Sequence, residues 1–227
     1  MKATKLKSAF FINGHVIKPH AFLIFGIFAS LLYFGTAILA GSLWQGYSFT
    51  QQAISELSGV GAPTRPLVVP LYFVYSVSMI VFGIGVLIYN RKHTLRLIGT
   101  LMVGIGVVGF VQIPFPLQLG GAAAASANMM HSILAGVSGI LFLLSMGLGI
   151  FISGKRFRLY SVGTLLALIV LGAISGLMAG SQISVQGFTS PPQWFGLIER
   201  IDVYGSILWV LVLAIVLFQA EKVHTYD

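Results

Sequence analysis

Residues Leu67–Tyr89 read LVVPLYFVYSVSMIVFGIGVLIY, a run in which no side chain is charged. A helix needs about 20 apolar residues to cross about 30 Å of hydrocarbon, so this run is long enough to span a membrane. Together with the other stretches of this kind, the predicted spans are Ala21–Gly41, Leu67–Tyr89, Leu97–Leu117, Met129–Ile152, Leu159–Gly180 and Ile201–Phe218. The sequence therefore predicts an all-α polytopic membrane bundle of six transmembrane helices.

The composition excludes a water-soluble protein. The chain has 227 residues, of which 57% are hydrophobic and 8% charged, and its mean hydropathy is +0.95. A typical soluble domain is about 25% charged, and disordered chains are far less apolar. No segment between the spans is long enough for a soluble domain, so residues 1–227 are predicted to form one integral membrane domain. The absence of cysteine excludes disulfides, thiolate metal sites and cysteine nucleophiles.

The basic residues indicate the orientation of the bundle. Of the 13 Lys and Arg residues, all but Arg65 and Arg200 lie before span 1, between spans 2 and 3, between spans 4 and 5, or after span 6. Because cytoplasmic loops carry the excess of Lys and Arg, both termini are predicted to be cytoplasmic, in the plasma membrane. The net charge of +8 then reflects topology and contact with membrane lipids, and no nucleic-acid binding is expected.

The polar segment between spans 1 and 2 predicts a short amphipathic helix on the outer side. Ser48 and Gln51 match a capping box, and a glycine at position 59 or 61 can end the helix. The helix would lie on the bilayer surface or fold over the mouth of the bundle. At 100° per residue Glu56 falls at the edge of the apolar face and can lean inward, whereas Ser55 and Ser58 point to water.

Two further helix starts carry polar side chains. Asn128 is a plausible cap for helix 4, and Ser190 followed by two prolines predicts the start of helix 6. If helix 6 begins there, Glu199 lies two turns inside it, and Asp202 and Ser206 lie deeper.

The ionisable side chains of the outer half are predicted to share one outward-facing polar pocket, because such groups in spans normally turn into the bundle and find partners. They are Glu56, Arg65, His131, Glu199, Arg200 and Asp202. In a catalytic pocket, His131 with Glu56 or Asp202 would be the acid–base unit. Arg65 or Arg200 would hold an anion, and Glu199 and Ser55 complete the predicted substrate-binding set. The alternative is structural, with these charges solvated, complementing helix dipoles or locking loops through ion pairs.

No metal and no cofactor is predicted. The chain contains no phosphate-binding loop, dinucleotide fingerprint or HExxH motif. His131 is the only histidine in the outer half, which is too few for a three-histidine zinc site. A mixed site remains formally open, with the ligands His131, Glu56, Glu199 and Asp202.

Glycines recur in the predicted spans. Helices in lipid associate through close packing of small residues, so the ridge Gly172, Gly176 and Gly180 on span 5 predicts close approach of neighbouring backbones within the monomer. The alternative use of this ridge is a contact face for a homo-oligomer or a partner membrane protein.

A family resemblance rests on the segment Ala53–Arg65, which reads AISELSGVGAPTR, with His131 opening span 4 and Glu199 and Arg200 opening span 6. In these features the chain resembles the prokaryotic membrane family catalogued as domain of unknown function 998. The resemblance covers essentially the whole chain, and the Ser-Glu-Leu part is its most specific element. It implies a six-helix integral membrane protein and supplies no reaction and no site assignment.

The leading functional expectation is a multi-pass membrane protein whose outer pocket binds, and in an enzyme would process, a lipid headgroup or a small amphiphile. The first alternative is a non-catalytic scaffold or accessory subunit, in which the outer charges lock loops. The second alternative is a facilitative transporter, which the apolar inner halves of spans 2, 4 and 6 disfavour.

Overall fold

The computed structural model describes residues 10–12, 15–17, 20–89, 92–119, 124–152, 154–184 and 193–226. Its helices are α1 (His20–Leu43), α2 (Arg65–Tyr89), α3 (His93–Gln112), α4 (Ala124–Gly149), α5 (Lys155–Ser184) and α6 (Phe195–Tyr226). All 6 are long and apolar enough to cross a membrane, which confirms the prediction of an all-α bundle of six spanning helices. The sequence does not predict the short antiparallel hairpin before α1, in which β1 (Phe10–Ile12) pairs with β2 (His15–Ile17).

Helix α3 shows how proline sets a helix end. It stops at Gln112, whereas the predicted span runs to Leu117. Pro114 and Pro116 follow, and proline lacks the N–H that would continue the hydrogen-bond ladder. The residues after α3 therefore leave the helix in a turn, with a 3.0 Å hydrogen bond from the N–H of Phe115 to the carbonyl oxygen of Gln112, and lead towards α4.

The starts of α4 and α6 also differ from their predicted positions. Helix α4 begins at Ala124, so Asn128 lies inside the helix and is not its cap. Helix α6 begins at Phe195, before the predicted span at Ile201 and after the helix start that Ser190 and the two prolines predict. The proposed cap at Ser190 lies outside the described residues.

Helices α2 and α3 pack against each other backbone to backbone. A methyl group on Gly83 would lie 2.7 Å from the backbone nitrogen of Val103 and 2.8 Å from the carbonyl oxygen of Gly99. One on Gly106 would lie 2.7 Å from the carbonyl oxygen of Ser76. Contacts this close are available only to glycine, so these positions hold the two helices together.

The glycines of α4 and α5 have a different environment. In the described part of the chain, no atom lies within 4 Å of the position that a methyl group would take on Gly136, Gly139 or Gly176. The nearest atom to such a group on Gly172 is a carboxylate oxygen of Asp202, at 3.6 Å. The prediction that the span-5 ridge brings backbones together is therefore wrong at Gly172 and Gly176, because a methyl group on Gly172 would meet only the side chain of Asp202 and one on Gly176 would meet no described atom. The surroundings of Gly180 are outside the described part of the chain.

Residues Trp44–Thr64, which we call the cap segment, cross one end of the bundle between α1 and α2. They contain a 3₁₀ helix at Ile54–Ser58, which packs on α1, α2 and α6. We call this end of the bundle the cap end. The cap segment lies over the bundle rather than apart from it, which is one of the two placements that the amphipathic pattern allows.

The short helix of the cap segment is shorter and starts later than predicted. Ser48 instead belongs to a separate turn, closed by a 2.9 Å hydrogen bond from the N–H of Gln52 to the carbonyl oxygen of Ser48. The helix follows Ala53, and Gly59 ends it, as one of the two predicted glycines. Gly61 has a φ of 87°, a left-handed conformation that favours glycine and turns the chain towards α2.

Candidate functional site at the cap end

A cavity of about 840 Å³ lies beneath the cap segment, between α2, α3, α4, α5 and α6. This volume is within the range of about 300–1,000 Å³ that is usual for small-molecule sites. Ser55 lines the cavity, whereas Arg200 does not. The ionisable side chains that line it are Glu56, Arg65, His131, Glu199 and Asp202.

The cavity changes character along its length. Its lining on α4 runs from Asn128 to Leu143, about 22 Å at a rise of 1.5 Å per residue. The ionisable side chains lie towards the cap end of this path. The residues that line the cavity farthest from the cap end are apolar, and they include Phe142, Leu143, Leu168 and Ile207.

Arg200 anchors the cap segment to α6. Its side chain is only 5% exposed, and its Nη1 donates hydrogen bonds to the carbonyl oxygens of Phe49 (2.7 Å), Gln52 (2.6 Å) and Gly196 (2.9 Å). The guanidinium also lies over the rings of Tyr47 and Phe49, 5.3 Å and 5.1 Å from their centroids. These contacts hold the guanidinium in the cap, away from the cavity where an anion ligand would have to lie.

Tyr47 completes this anchor from the cap segment. Its hydroxyl accepts a hydrogen bond from Nη2 of Arg200 and donates one to the carbonyl oxygen of Ala53, at 2.7 Å. Burial raises the pKa of Tyr47 well above its usual value, although the neighbouring Arg200 lowers it in part. The phenol therefore keeps its proton and remains a hydrogen-bond donor.

The carboxylates of Glu56 and Glu199 stabilise the short helix of the cap segment. The Glu56 carboxylate accepts hydrogen bonds from the N–H of Ala53 (2.9 Å) and from Nε2 of Gln52 (2.8 Å). It thereby satisfies a backbone donor at the start of the 3₁₀ helix, as a capping carboxylate does. The Glu199 carboxylate of α6 accepts a hydrogen bond of 2.7 Å from the N–H of Ile54. Both acids line the cavity and fix the cap segment above it.

Arg65 stands at the first turn of α2. Its Nη1 donates a hydrogen bond of 2.5 Å to the carbonyl oxygen of Ser58, its one hydrogen-bond partner in the described part of the chain. Ser55 lines the cavity next to the capping acid Glu56 and is half-buried, rather than facing water as predicted. Arg65 is therefore the guanidinium of the predicted set that reaches the cavity.

His131 is held by the connection between α3 and α4. Its Nδ1 lies 2.9 Å from the carbonyl oxygen of Phe115, so Nδ1 carries the proton and donates it. Its Nε2 lies 3.4 Å from Nε2 of Gln112 and accepts from that amide. The expected pairing of His131 with Glu56 or Asp202 is not formed, because both ring nitrogens have other partners.

Asp202 differs from the other acids of the cavity. Within the described ranges its carboxylate makes no hydrogen bond and no ion pair. Ser206, one turn farther along α6, is 8% exposed, lines the cavity, and likewise has no hydrogen-bond partner among the described residues. A carboxylate without a hydrogen-bond partner inside a spanning helix raises the free energy of the folded protein in the membrane. Asp202 is therefore a candidate for a functional role.

With this geometry in place, comparison with known proteins gives one informative match. Residues 27–216 match the family described as "Protein of unknown function (DUF998)". The chain belongs to this family. Comparison with curated proteins and with solved structures finds no match. The matched range contains the cap segment and all ionisable residues of the cavity, so the DUF998 family model covers the candidate site as a whole.

The described residues of this DUF998 protein hold no group of three or more His, Cys, Asp or Glu side chains close enough to bind a metal ion. Mixed ligation by His131 with Glu56, Glu199 and Asp202 was left open by the sequence. In the structure the imidazole nitrogens face Phe115 and Gln112 instead. That ligand set is therefore not assembled.

Sequence reasoning missed the tyrosines of the site. Tyr33 and Tyr72 stack with their centroids 5.1 Å apart, and Tyr75 lies 5.1 Å from Tyr33. All three line the cavity of this DUF998 chain. Tyr72 and Tyr75 are three residues apart on one helical face inside an apolar run, and this spacing was the signal that could have identified them.

Proposed function

We propose that this protein binds an amphiphile in the cavity at the cap end of the bundle. The polar part of the amphiphile lies among the ionisable side chains beneath the cap segment, and its hydrocarbon part lies along the apolar lining. The observation that carries the proposal is the change from ionisable to apolar lining along one continuous cavity of about 840 Å³. A cavity that is polar at one end and apolar at the other matches the two parts of an amphiphile.

The proposal includes a location in the plasma membrane with the cap end outside. The Lys and Arg residues support this orientation, because all but Arg65 and Arg200 fall at the opposite end or in the segments leading to it. A cavity at the cap end would then be reached from the outer leaflet or from the extracytoplasmic side.

Binding is favoured over catalysis by the partners of the predicted catalytic residues. Glu56 caps the short helix and His131 is engaged through both ring nitrogens. A general acid–base unit needs its two groups within hydrogen-bond reach of each other or of the substrate. Of the predicted catalytic set, this leaves Asp202 as the uncommitted group, and a single carboxylate is sufficient for binding.

The test fills the cavity without disturbing the packing. A leucine at Gly136 would project into the cavity, where a methyl group meets no atom within 4 Å. Gly147 is the matched control on the same helix, because its methyl position is equally open but does not line the cavity. Wild type, Gly136→Leu and Gly147→Leu are released from the expression membrane in a maltoside detergent and compared by native mass spectrometry.

We expect a co-purifying amphiphile, seen as a defined mass increment, on wild type and on Gly147→Leu. On Gly136→Leu the increment should be lost while the thermal stability stays close to that of wild type. If Gly136→Leu is folded and retains the same increment as wild type, the cavity is not the binding site and the proposal is wrong.

A further inference from the structure

The acids of the cavity are not equivalent, and this difference bears on the ligand. Glu56 and Glu199 accept hydrogen bonds from backbone N–H groups of the cap segment, which occupies part of their capacity. Asp202 has no such partner within the described ranges. Asp202 is therefore the carboxylate of the cavity to which no described group donates a hydrogen bond, and a ligand of opposite charge would compensate its charge.

The depth of Asp202 is set by its neighbours on α6. Tyr204 packs edge-on against Phe34, with centroids 5.0 Å apart, and the adjacent Tyr33 stacks on Tyr72 at 5.1 Å. Asp202 therefore lies at about the level of Tyr72. Tyr72 is seven residues from Arg65 on α2, which corresponds to about 10 Å along the helix. From the cap end inwards, the cavity thus presents Arg65 first, then Asp202, then the apolar lining.

A second polar side chain without a described partner lies one turn from Asp202 on α6. The hydroxyl of Ser206 has no hydrogen-bond partner among the described residues, and this side chain is 8% exposed and lines the cavity. The rings of Tyr33, Tyr72 and Tyr75 line the same cavity. A cavity that contains a carboxylate and aromatic rings suits an ammonium group.

We propose that the amphiphile is a lipophilic amine, whose ammonium is attached directly to the hydrocarbon and lies against the carboxylate of Asp202. This inference rests on the proposed function and names its ligand class. Beyond the apolar lining, the first charge that a ligand meets is the carboxylate of Asp202. An ammonium attached directly to a hydrocarbon chain would lie at the Asp202 carboxylate while the chain lies along the apolar lining. A phosphate ester places an anion at the same position and would be repelled.

The experiment compares three amphiphiles that share a dodecyl chain. Dodecyltrimethylammonium, dodecyl phosphate and dodecanol are titrated into purified protein in nanodiscs of phosphatidylcholine, and their affinities are measured by microscale thermophoresis. The variants are Asp202→Asn, Asp202→Glu, Gly136→Leu and the control Gly147→Leu. Because Asp202 has no structural partner among the described residues, its substitutions are expected to leave the fold intact.

We expect dodecyltrimethylammonium to bind at least about tenfold more tightly than the other two, since a charge pair in a desolvated site is worth a factor of this size or more. Asp202→Asn should remove this preference and Asp202→Glu should retain it. Gly136→Leu should abolish binding of all three, and Gly147→Leu should not.

The two proposals fail in different ways. If the three compounds bind with similar affinity, or if the phosphate is preferred, and Gly136→Leu still blocks them, the amine inference is overturned while amphiphile binding stands. A preference for ammonium that survives in Asp202→Asn also overturns the amine site. If Gly136→Leu changes no affinity, the proposed function itself fails.

Discussion

The α2–α3 pair and the α4–α5 pair use the same small residue in opposite ways. Between α2 and α3, Gly83 and Gly99 allow contact between backbones, with methyl positions less than 3 Å from main-chain atoms of the facing helix. Between α4 and α5, Gly136 and Gly176 line a cavity, and their methyl positions face no atom of the described residues within 4 Å. The first pair is a packed interface, and the second is one wall of a binding space.

The burial of the helices follows the same division. Of the most apolar stretch of α2, 44% is buried inside the protein, compared with 11% of that of α5. In lipid the association of helices depends on packing rather than on a hydrophobic force. A pair without close packing therefore contributes less stability, and it leaves the space that forms the cavity. The comparison teaches that small-residue spacing alone does not reveal which use applies.

The largest expected effect comes from disturbing the packed pair. Gly83→Leu would drive its side chain into the backbone of α3 at Gly99 and Val103, and backbone atoms cannot move aside cheaply. We expect a loss of about 3 kcal/mol or more in the free energy of unfolding. Thermal unfolding in detergent, with size-exclusion chromatography of the purified protein, measures this.

Gly147→Leu is the control for that substitution. It adds the same side chain to a spanning helix at a position with no atom within 4 Å, so its stability should remain close to that of wild type. Equal losses for Gly83→Leu and Gly147→Leu would mean that the two kinds of glycine do not differ.

A smaller effect is expected from the anchor between the cap segment and α6. Arg200→Lys keeps the positive charge but cannot reach three carbonyl oxygens and the Tyr47 hydroxyl with one ammonium group. Carbonyls left without a donor in a buried site cost free energy, and we expect a loss of about 2 kcal/mol. The matched control is Arg65→Lys, which has a single hydrogen bond to Ser58 to replace.

The readout for Arg200→Lys is local as well as global. Hydrogen exchange of residues 47–56 should accelerate in Arg200→Lys, because the carbonyls that hold this part of the cap lose their donor. Arg65→Lys should change exchange there much less. Unchanged exchange in Arg200→Lys would show that the guanidinium does not fix the cap segment.

The fold could be predicted from the sequence because the hydrocarbon of the membrane permits few kinds of backbone structure. A run such as Leu67–Tyr89 must satisfy its own backbone hydrogen bonds, so length and hydropathy are sufficient to predict a helix. The end of α3 follows from Pro114 for the same local reason. The start of α6 was read only approximately, at Ser190 and the two prolines rather than at Phe195, because Phe195 and its neighbours are apolar enough for either a loop at the membrane interface or a helix.

The candidate site was readable only in part. Scarce charges in an apolar chain point to a shared location, and Glu56, Glu199 and Asp202 do line one cavity. Their individual partners depend on contacts across more than a hundred residues, such as Glu199 with Ile54. For that reason the sequence assigned Arg200 to an anion, whereas the structure uses it to hold three carbonyls of the cap and of α6.

The smallest expected effect on stability comes from the glycines of α5. Substituting them tests whether this helix lines a ligand cavity or forms a contact face between chains. Gly176→Leu projects into the cavity, where none of the described residues has an atom within 4 Å of the methyl position. Gly163→Leu is its control on the same helix, because that position is equally open but lies outside the cavity lining. Both variants should unfold within about 0.5 kcal/mol of wild type, because neither side chain meets a neighbour. If α5 lines a binding space, Gly176→Leu loses the bound amphiphile in native mass spectrometry while its oligomeric mass is unchanged. If instead the Gly172, Gly176 and Gly180 ridge joins copies or partner proteins, Gly176→Leu changes the oligomeric mass and keeps the amphiphile, since a ridge used for contact between chains is not free to face a ligand.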